Sequence, residues 1–330
     1  MAQEFRIVLF GSGEVTALCL DQLLERGAAV TGLVVSAQEG DVDADLLTLA
    51  EAMGIPTQAP ADLRSRQFLA WLRHECRADI IFSIAYQHRL PPEVLRLPRL
   101  GALNWHPSLL PLHRGPDPYF WALHDGDLET GLTIHLMEET FDSGDIVLQH
   151  RLPILVHDTW GTLARRLDVV AVEMVREVMD LLEAHPTQLP RRPQGVTAMA
   201  YQRRPSQNDF NINWHGRAQA IVNLVRACNP NVGARTRFRD GVLFVFKACL
   251  SPVPSRLLEE WRKEGRKALP GKVLATDSAG LVVQAGDHAV RLEIVQRDAD
   301  YLLGGRDFAC IERVQAGEVM EELRLVSSEL

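Results

Sequence analysis

The strongest constraint on this chain is an alternation of short apolar runs with helix-periodic segments through its first hundred residues. Phe5–Phe10, Val30–Val35 and Asp79–Ser83 are runs of strand length. Between them lie helical patterns through Leu18, Leu23 and Leu24, over Ala44–Met53, and over Phe68–Arg73. Apolar runs separated by helices imply parallel strands, because a parallel pair needs a long crossover rather than a tight hairpin. The expected class is α/β, with a doubly wound, mainly parallel sheet. Gly101–Trp105 and Gly131–Leu136 read as further strands, and Thr162–Glu183 as a long amphipathic helix closing the domain. In such sheets ligands sit beyond the carboxyl ends of the strands.

The pattern changes after residue 184. His185 to Pro205 holds Pro186, Pro190, Pro193 and Pro205, which together make a semi-rigid tether. A helix over Ala218–Cys228 follows, then short strands at Thr236–Phe238, Val242–Ala248, Gly271–Ala275, Leu281–Ala285 and Ala289–Val295, separated by turn residues such as Asp240-Gly241. Such spacing suggests a small barrel or sandwich, and the expected form is a β-rich, barrel-like (OB-like) domain. The expected organisation is a catalytic domain over 1–184, a linker over 185–205 and the barrel over 206–330. A length of 330 residues suffices for two cores.

No apolar run approaches the roughly 18–20 residues that span a membrane. Five scattered cysteines with no C-x-x-C pair argue against a disulfide framework and a structural zinc. The N-terminus lacks a secretion pattern, and the reading is cytoplasmic. The eleven histidines show no ligand spacing such as H-x-x-x-H, so no metal is expected and activity should survive chelation. Charge is uneven: residues 203–272 carry fourteen Lys/Arg against five Asp/Glu, a local +9 in a chain of net −8.

Gly11-Ser12-Gly13 follows the first strand, but a dinucleotide fingerprint would need a third glycine where Thr16 stands, and an acidic residue where Val34-Val35-Ser36 stand. A tight strand-to-helix turn is the better reading. The richer segment is Leu103-Asn104-Trp105-His106-Pro107-Ser108-Leu109-Leu110-Pro111-Leu112-His113-Arg114-Gly115. Asn104 and His106 alternate on a strand and share a face. Phe141-Asp142-Ser143-Gly144-Asp145 adds an acidic loop. An amide donor, an imidazole and a carboxylate suit acyl transfer, although each residue alone has a bland reading as turn, core histidine or cap.

Together these motifs resemble the folate-dependent formyltransferase family, which includes methionyl-tRNA formyltransferases, sugar-nucleotide N-formyltransferases and the hydrolase domain of 10-formyltetrahydrofolate dehydrogenase. The resemblance rests on Asn104-Trp105-His106, Ser108-Leu109-Leu110-Pro111, Arg114-Gly115 and Asp142-Ser143-Gly144-Asp145, with His106 and Asp142 36 positions apart. It extends to Tyr201-Gln202-Arg203-Arg204 and Ile212-Asn213-Trp214, and so over nearly the whole chain. It implies a Rossmann-like formyltransferase fold, 10-formyltetrahydrofolate as donor, and catalysis by Asn104, His106 and Asp142. By the same analogy the pterin slot falls to Phe82, Ser83, Ile84, Ala85, Tyr86, Gln87 and His88, to the loop before Asp142, and to Ser108, Leu109, Leu110, Pro111, Arg114 and Gly115.

The acceptor is read from departures. Relatives acting on initiator tRNA carry a basic insertion after the second strand, whereas here no Lys or Arg stands between Arg26 and Arg64, and Glu39–Asp45 is acidic. Pro107 replaces their usual glycine. The expectation is therefore a small-molecule amine or hydroxylamine, such as a sugar nucleotide or amino-acid derivative. Methionyl-tRNA is the alternative and hydrolysis of the donor a third reading. Any tRNA contact would be loose, through Arg235, Arg237 and Arg239. No DNA or membrane partner is expected.

Overall fold

The computed structural model describes residues 5–36, 44–195, 201–264, 269–298 and 300–323. The chain divides into two compact units: residues 1–118, 129–153 and 165–202 form one, and 119–128, 154–164 and 203–330 the other.

In the first unit, β1 (Arg6–Gly11) leads into α1 (Gly13–Glu25), then β2 (Ala29–Val34), α2 (Ala44–Ala52), β3 (Thr57–Gln58) and α3 (Arg66–Ala70), which continues as π-helical turns over Trp71–Cys76. β4 (Ile80–Ile84), α4 (Pro92–Leu95) and β5 (Ala102–His106) follow. After α5 (Pro118–Asp125) come β6 (Glu129–Leu136), β7 (Ile146–Pro153) and the long α6 (Trp160–Ala184). The strand order is β3-β2-β1-β4-β5-β6-β7. β1 to β5 are parallel, whereas β6 and β7 run antiparallel to their neighbours. This is the doubly wound, mainly parallel sheet that the apolar alternation implies. Ile7, Val8, Leu9 and Phe10 are all wholly buried, as a strand covered on both faces requires. On the face shared by Val8, Phe10, Ile81 and Ala102, the core is closed by Phe68, Trp71, Leu72, Leu90 and Val94.

The Gly11-Ser12-Gly13 turn is a satisfied structural joint. The Ser12 hydroxyl donates to Ala85 O (2.7 Å) and the Thr16 hydroxyl to Ile84 O (2.9 Å). The proline-rich segment is more than a tether. Arg192 exchanges backbone hydrogen bonds with Ile146, and Gln202 N donates to Arg114 O (2.8 Å), so both ends of 192–202 are attached to the first unit.

In the second unit, α7 (Ala218–Cys228) precedes β8 (Ala234–Phe238), β9 (Gly241–Ser251), α8 (Ser255–Glu264), β10 (Val273–Thr276), β11 (Leu281–Gln284), β12 (Ala289–Arg297), β13 (Leu303–Gly304), α9 (Gly305–Ile311) and β14 (Met320–Glu321). The sheet order is β10-β11-β12-β9-β8-β14, with β13 on β12, and all pairs are antiparallel. The sheet curls as a half-barrel, and its two edges approach through an antiparallel bridge between Lys272 and Val319. Leu257 and Trp261 of α8 pack on Leu274, Val282 and Ala289. Within the basic stretch 203–272, Arg262 and Lys263 thus stand in the last turn of a helix; Arg266 and Lys267 lie outside the described residues. Among the described residues, no helix is long and apolar enough to cross a membrane.

Candidate active site

The site forms where β5 ends, in the first unit. The antiparallel register sets Asn104 opposite His135 and His106 opposite Thr133. All four side chains are polar, because this stretch of the sheet is where chemistry replaces packing. His106 and His135 are nonetheless 4% and 2% exposed, so each ring needs a partner for its nitrogens.

Those partners fix the tautomers. His135 Nδ1 lies 2.8 Å from Leu136 O, an acceptor only, so Nδ1 carries the proton and donates. Burial, followed by the neighbouring His106, pushes the His135 pKa down to about 4, against the opposing pull of Asp142. The ring is then neutral at pH 7 and its Nε2 is a lone-pair acceptor. Asn104 Nδ2, 3.3 Å away, must be the donor. One amide hydrogen is thereby committed to His135, and the other remains available. His106 Nε2 lies 2.9 Å from His113 O and likewise donates, which leaves Nδ1 facing Asp142 Oδ1 at 3.6 Å. The same carboxylate oxygen stands 3.7 Å from His135 Nε2. Both separations are contacts rather than formed hydrogen bonds.

Asp142 is placed with some force. Its φ is +52°, in the left-handed region, and its Oδ2 accepts from Gly115 N at 3.0 Å. Gln194 Nε2 donates to Asp142 O (2.9 Å) and Gly144 O (2.8 Å), while Arg114 donates to Gln194 Oε1 (2.6 Å from Nη2). A Cβ on Gly144 would stand 1.9 Å from Leu136 O, and one on Gly115 2.0 Å from Gln202 O. Both positions therefore exclude any side chain. This explains the two glycines in the motif by close approach.

The structure brings Asn104, His106 and Asp142 into one cluster. Two members of that cluster escaped the sequence reading. His135 was visible only as one residue of an alternating strand, and the antiparallel pairing that delivers it to Asn104 is not a local signal. Gln194 lies in a segment read as a tether.

The residues assigned to the pterin slot fall in three places. Phe82, Ser83 and Ile84 are buried inside β4, Phe82 against Trp105 with centroids 4.9 Å apart, so their side chains form the floor under the strand ends. Ala85 and Gln87 are exposed beyond the strand, and Tyr86 packs edge-on to Phe10 and His88. Ser108, Leu109 and Leu110 are buried, with Ser108 O receiving the Thr133 hydroxyl at 2.6 Å, and Leu110-Pro111 is cis. Arg114 and Gly115 serve the Asp142 loop as above. An open cavity of about 420 Å³ is lined by Pro92, Leu95, Arg96, Met137, Glu138, Glu139 and Thr140. Residues 137–140, before Asp142, form one wall of it and α4 the other; none of Phe82 to His88 or Ser108 to Gly115 lines it.

A family model described as "Formyl transferase" matches residues 5–179, and "Formyl transferase, C-terminal domain" matches 205–313. The chain belongs to the formyl transferase family. It is a folate-dependent formyltransferase, as the motifs led one to expect. A methionyl-tRNA formyltransferase of Acidithiobacillus ferrooxidans is 33% identical, covering 97% of this chain and 100% of its own length. That of Aromatoleum aromaticum is 32% identical over 97% and 98%. Among solved structures, WlaRD, a sugar 3N-formyl transferase in the presence of dTDP and 5-N-formyl-THF, superposes with a TM-score of 0.65 at 16% identity, covering 91% of this chain and all of its own.

These relatives overturn the small-molecule acceptor expected from charge. Likeness at the level of a third of all residues, end to end, is to methionyl-tRNA formyltransferases, whereas the sugar enzyme shares only the fold. The charge argument also weakens on physical grounds. Glu39–Asp43 of the acidic run lie outside the described residues, and Asp45 stands in the first turn of α2, where a carboxylate is favoured by the helix dipole whatever the acceptor. The arginines named for loose tRNA contact are also unequal. Arg239 is bound to Glu312 and Glu318, Arg235 donates to Gln207 and lies over Phe210, and Arg237 has no carboxylate partner among the described residues.

Proposed function

We propose that this protein transfers the formyl group of 10-formyltetrahydrofolate to the amino group of methionyl-tRNA. The acceptor rests on end-to-end likeness to enzymes of that name. The chemistry rests on one geometric observation: a single carboxylate, Asp142, faces two buried histidines, one of which orients an amide with a hydrogen to spare.

Attack of the amine on the formyl carbon forms a C–N bond and turns the formyl oxygen into an oxyanion. The free amide hydrogen of Asn104 is the donor for that oxygen, in a site too buried for water to compete. The attacking nitrogen must lose a proton, and the His106–Asp142 pair takes it. A proton at His106 Nδ1 converts the 3.6 Å contact into a charge-assisted hydrogen bond with Asp142. Collapse of the intermediate breaks the bond to N10 of the donor, and the same proton is returned to that nitrogen. His135, neutral, holds Asn104 in the donating orientation. The cavity between α4 and the loop 137–140 has room for the flat pterin, whose polar edge suits backbone groups of that loop. Nothing in this scheme calls for a metal.

The decisive assay supplies purified protein with 10-formyltetrahydrofolate and, in turn, initiator tRNA charged with methionine, a panel of small amines, and no acceptor. Saturable formylation of the charged tRNA is expected. Release of formate without acceptor, or faster turnover of a small amine, would overturn the assignment.

A further inference from the structure

Beside Asp142 stand two aromatic rings that the chemistry above does not use. Phe141 and Tyr201 are 45% and 51% exposed, with centroids 6.4 Å apart and planes tilted by 39°. Phe141 directly precedes Asp142 in the chain. The Arg89 guanidinium lies over its ring at 5.4 Å and is itself held by the carbonyl of Glu139. Tyr201 is held through its neighbour: Gln202 N donates to Arg114 O, the Gln202 side-chain oxygen accepts from His113 Nδ1 at 2.8 Å, and Gly115 lies directly against Gln202 O. The backbone at 201–202 is thus pinned to the loop that carries the site, while the Tyr201 ring is left half in solvent. Burial first, and then the charge of Asp142, push the Tyr201 phenol above its ordinary range, which sets that ring within the field of the catalytic carboxylate.

We propose that Phe141 and Tyr201 form the wall that receives the side chain of the aminoacyl acceptor. The inference rests on the methionyl-tRNA reading and extends it to how methionine is chosen. The amine reacts beside His106 and Asp142, and the acceptor's side chain branches one bond from that amine. The groups it meets first are those adjoining Asp142, whereas the nucleotide lies on the far side of the ester. Two half-exposed rings in that place hold apolar surface in water until a ligand covers it. An unbranched thioether fits such a wall by dispersion and sulfur–ring contact. A side-chain amide would gain nothing from the rings and would lose water, so the wall discriminates as well as binds.

The test compares initiator tRNA charged with methionine and the same tRNA charged with glutamine, using wild type, Phe141→Ala, Tyr201→Ala and Tyr201→Phe. Each alanine variant should lower kcat/KM for methionyl-tRNA roughly tenfold and leave the glutaminyl form within about twofold, so that the preference shrinks. KM for the folate donor should stay within about twofold, and Tyr201→Phe should keep the preference, because the ring and not the hydroxyl makes the contact. Equal losses on both charged tRNAs, or a rise in donor KM, would overturn the inference; the latter would assign the rings to the donor's benzoyl group. A wild type that formylates neither charged tRNA would sink the acceptor reading itself, and this inference with it. A wild type active on methionyl-tRNA with an unmoved preference in the variants would sink the inference alone. Both rings are half exposed, so a melting curve within a few degrees of wild type serves as the folding control, with Tyr201→Leu as the substitute if the alanine variant fails it.

Discussion

At the scale of single residues, Asp142 is the pivot of the site, because it faces both histidines and is fixed by Gly115 N. Asn104→Ala, His106→Ala and Asp142→Ala should each lower kcat by about a hundredfold to ten-thousandfold, and pairs of these changes should cost little more than the worse single one. Single-turnover formylation measures this directly, and any variant retaining a third of wild-type rate loses its place in the mechanism. His135 makes a second prediction, through pH. Its folded-state pKa, about 4, lies below the ordinary value of 6.5, so the unfolded chain binds the extra proton more readily. The stability this group confers is therefore complete above pH 6.5 and declines as pH falls toward 4. His135→Gln, which keeps an amide near Asn104, should flatten the fall of melting temperature over that window; an unchanged slope would deny that the ring is held neutral. Asn104, His106 and Asp142 were legible in the sequence because each sits inside a spaced motif. His135 was not, because only the β5–β6 register makes it a neighbour of Asn104.

At the scale of elements, the loop that follows β6 works because nothing larger than glycine fits at 144. A methyl group there would lie 1.9 Å from Leu136 O, a backbone atom of a paired strand that cannot yield. Gly144→Ala must push the 142–145 loop outward, carrying Asp142 away from both histidines. A displacement near 1 Å costs on the order of a hundredfold in rate, so the variant should lose activity well out of proportion to its loss of stability. Gln194→Ala offers a milder version of the same displacement, since it removes two hydrogen bonds to the loop and leaves Arg114 without its acceptor. Comparing kcat with melting temperature in both variants separates a misplaced carboxylate from a damaged fold. β1, β2 and β4 were readable because burial on both faces leaves unbroken apolar runs, whereas β3, two partly exposed residues at Thr57–Gln58, carries no such run. β7 escaped because only one face is covered: Gln149, His150 and Arg151 interrupt it, and Gln149 and Arg151 are used in hydrogen bonds to Leu110 and Glu129. α8 escaped for the opposite reason. Its apolar stripe is confined to Leu257 and Trp261 with their neighbours, and the charged run that starts at Arg262 reads equally as an exposed loop or as a helix end.

At the scale of the whole molecule, the question is how an acidic chain engages a polyanion. The formal charge of −8 is distributed, and residues 203–272 are basic, but much of that excess is already engaged. Arg203 pairs with Asp209, Arg239 with Glu312 and Glu318, Lys247 with Glu293, and Arg256 with Glu260. Counting arginines in the sequence overstates the field that phosphates would meet. Arg237 on β8, and Arg262 and Lys263 in the last turn of α8, are exposed and have no carboxylate partner among the described residues. α8 is a firm support for such charges, since Leu257 and Trp261 anchor it to the sheet. If these side chains meet the tRNA backbone, Arg262→Glu combined with Lys263→Glu should raise KM for methionyl-tRNA by roughly tenfold and leave kcat unchanged, because phosphate contacts position the substrate without touching the reacting atoms. The dependence of log KM on log salt should flatten in the same variant by about 0.9 for each duplex phosphate that is no longer neutralised. Arg239→Ala should behave differently, lowering melting temperature through the unpaired Glu312 and Glu318 and leaving the salt slope intact. A salt slope that drops with Arg239→Ala and not with the α8 pair would move the binding face from the helix to the turn that follows β8.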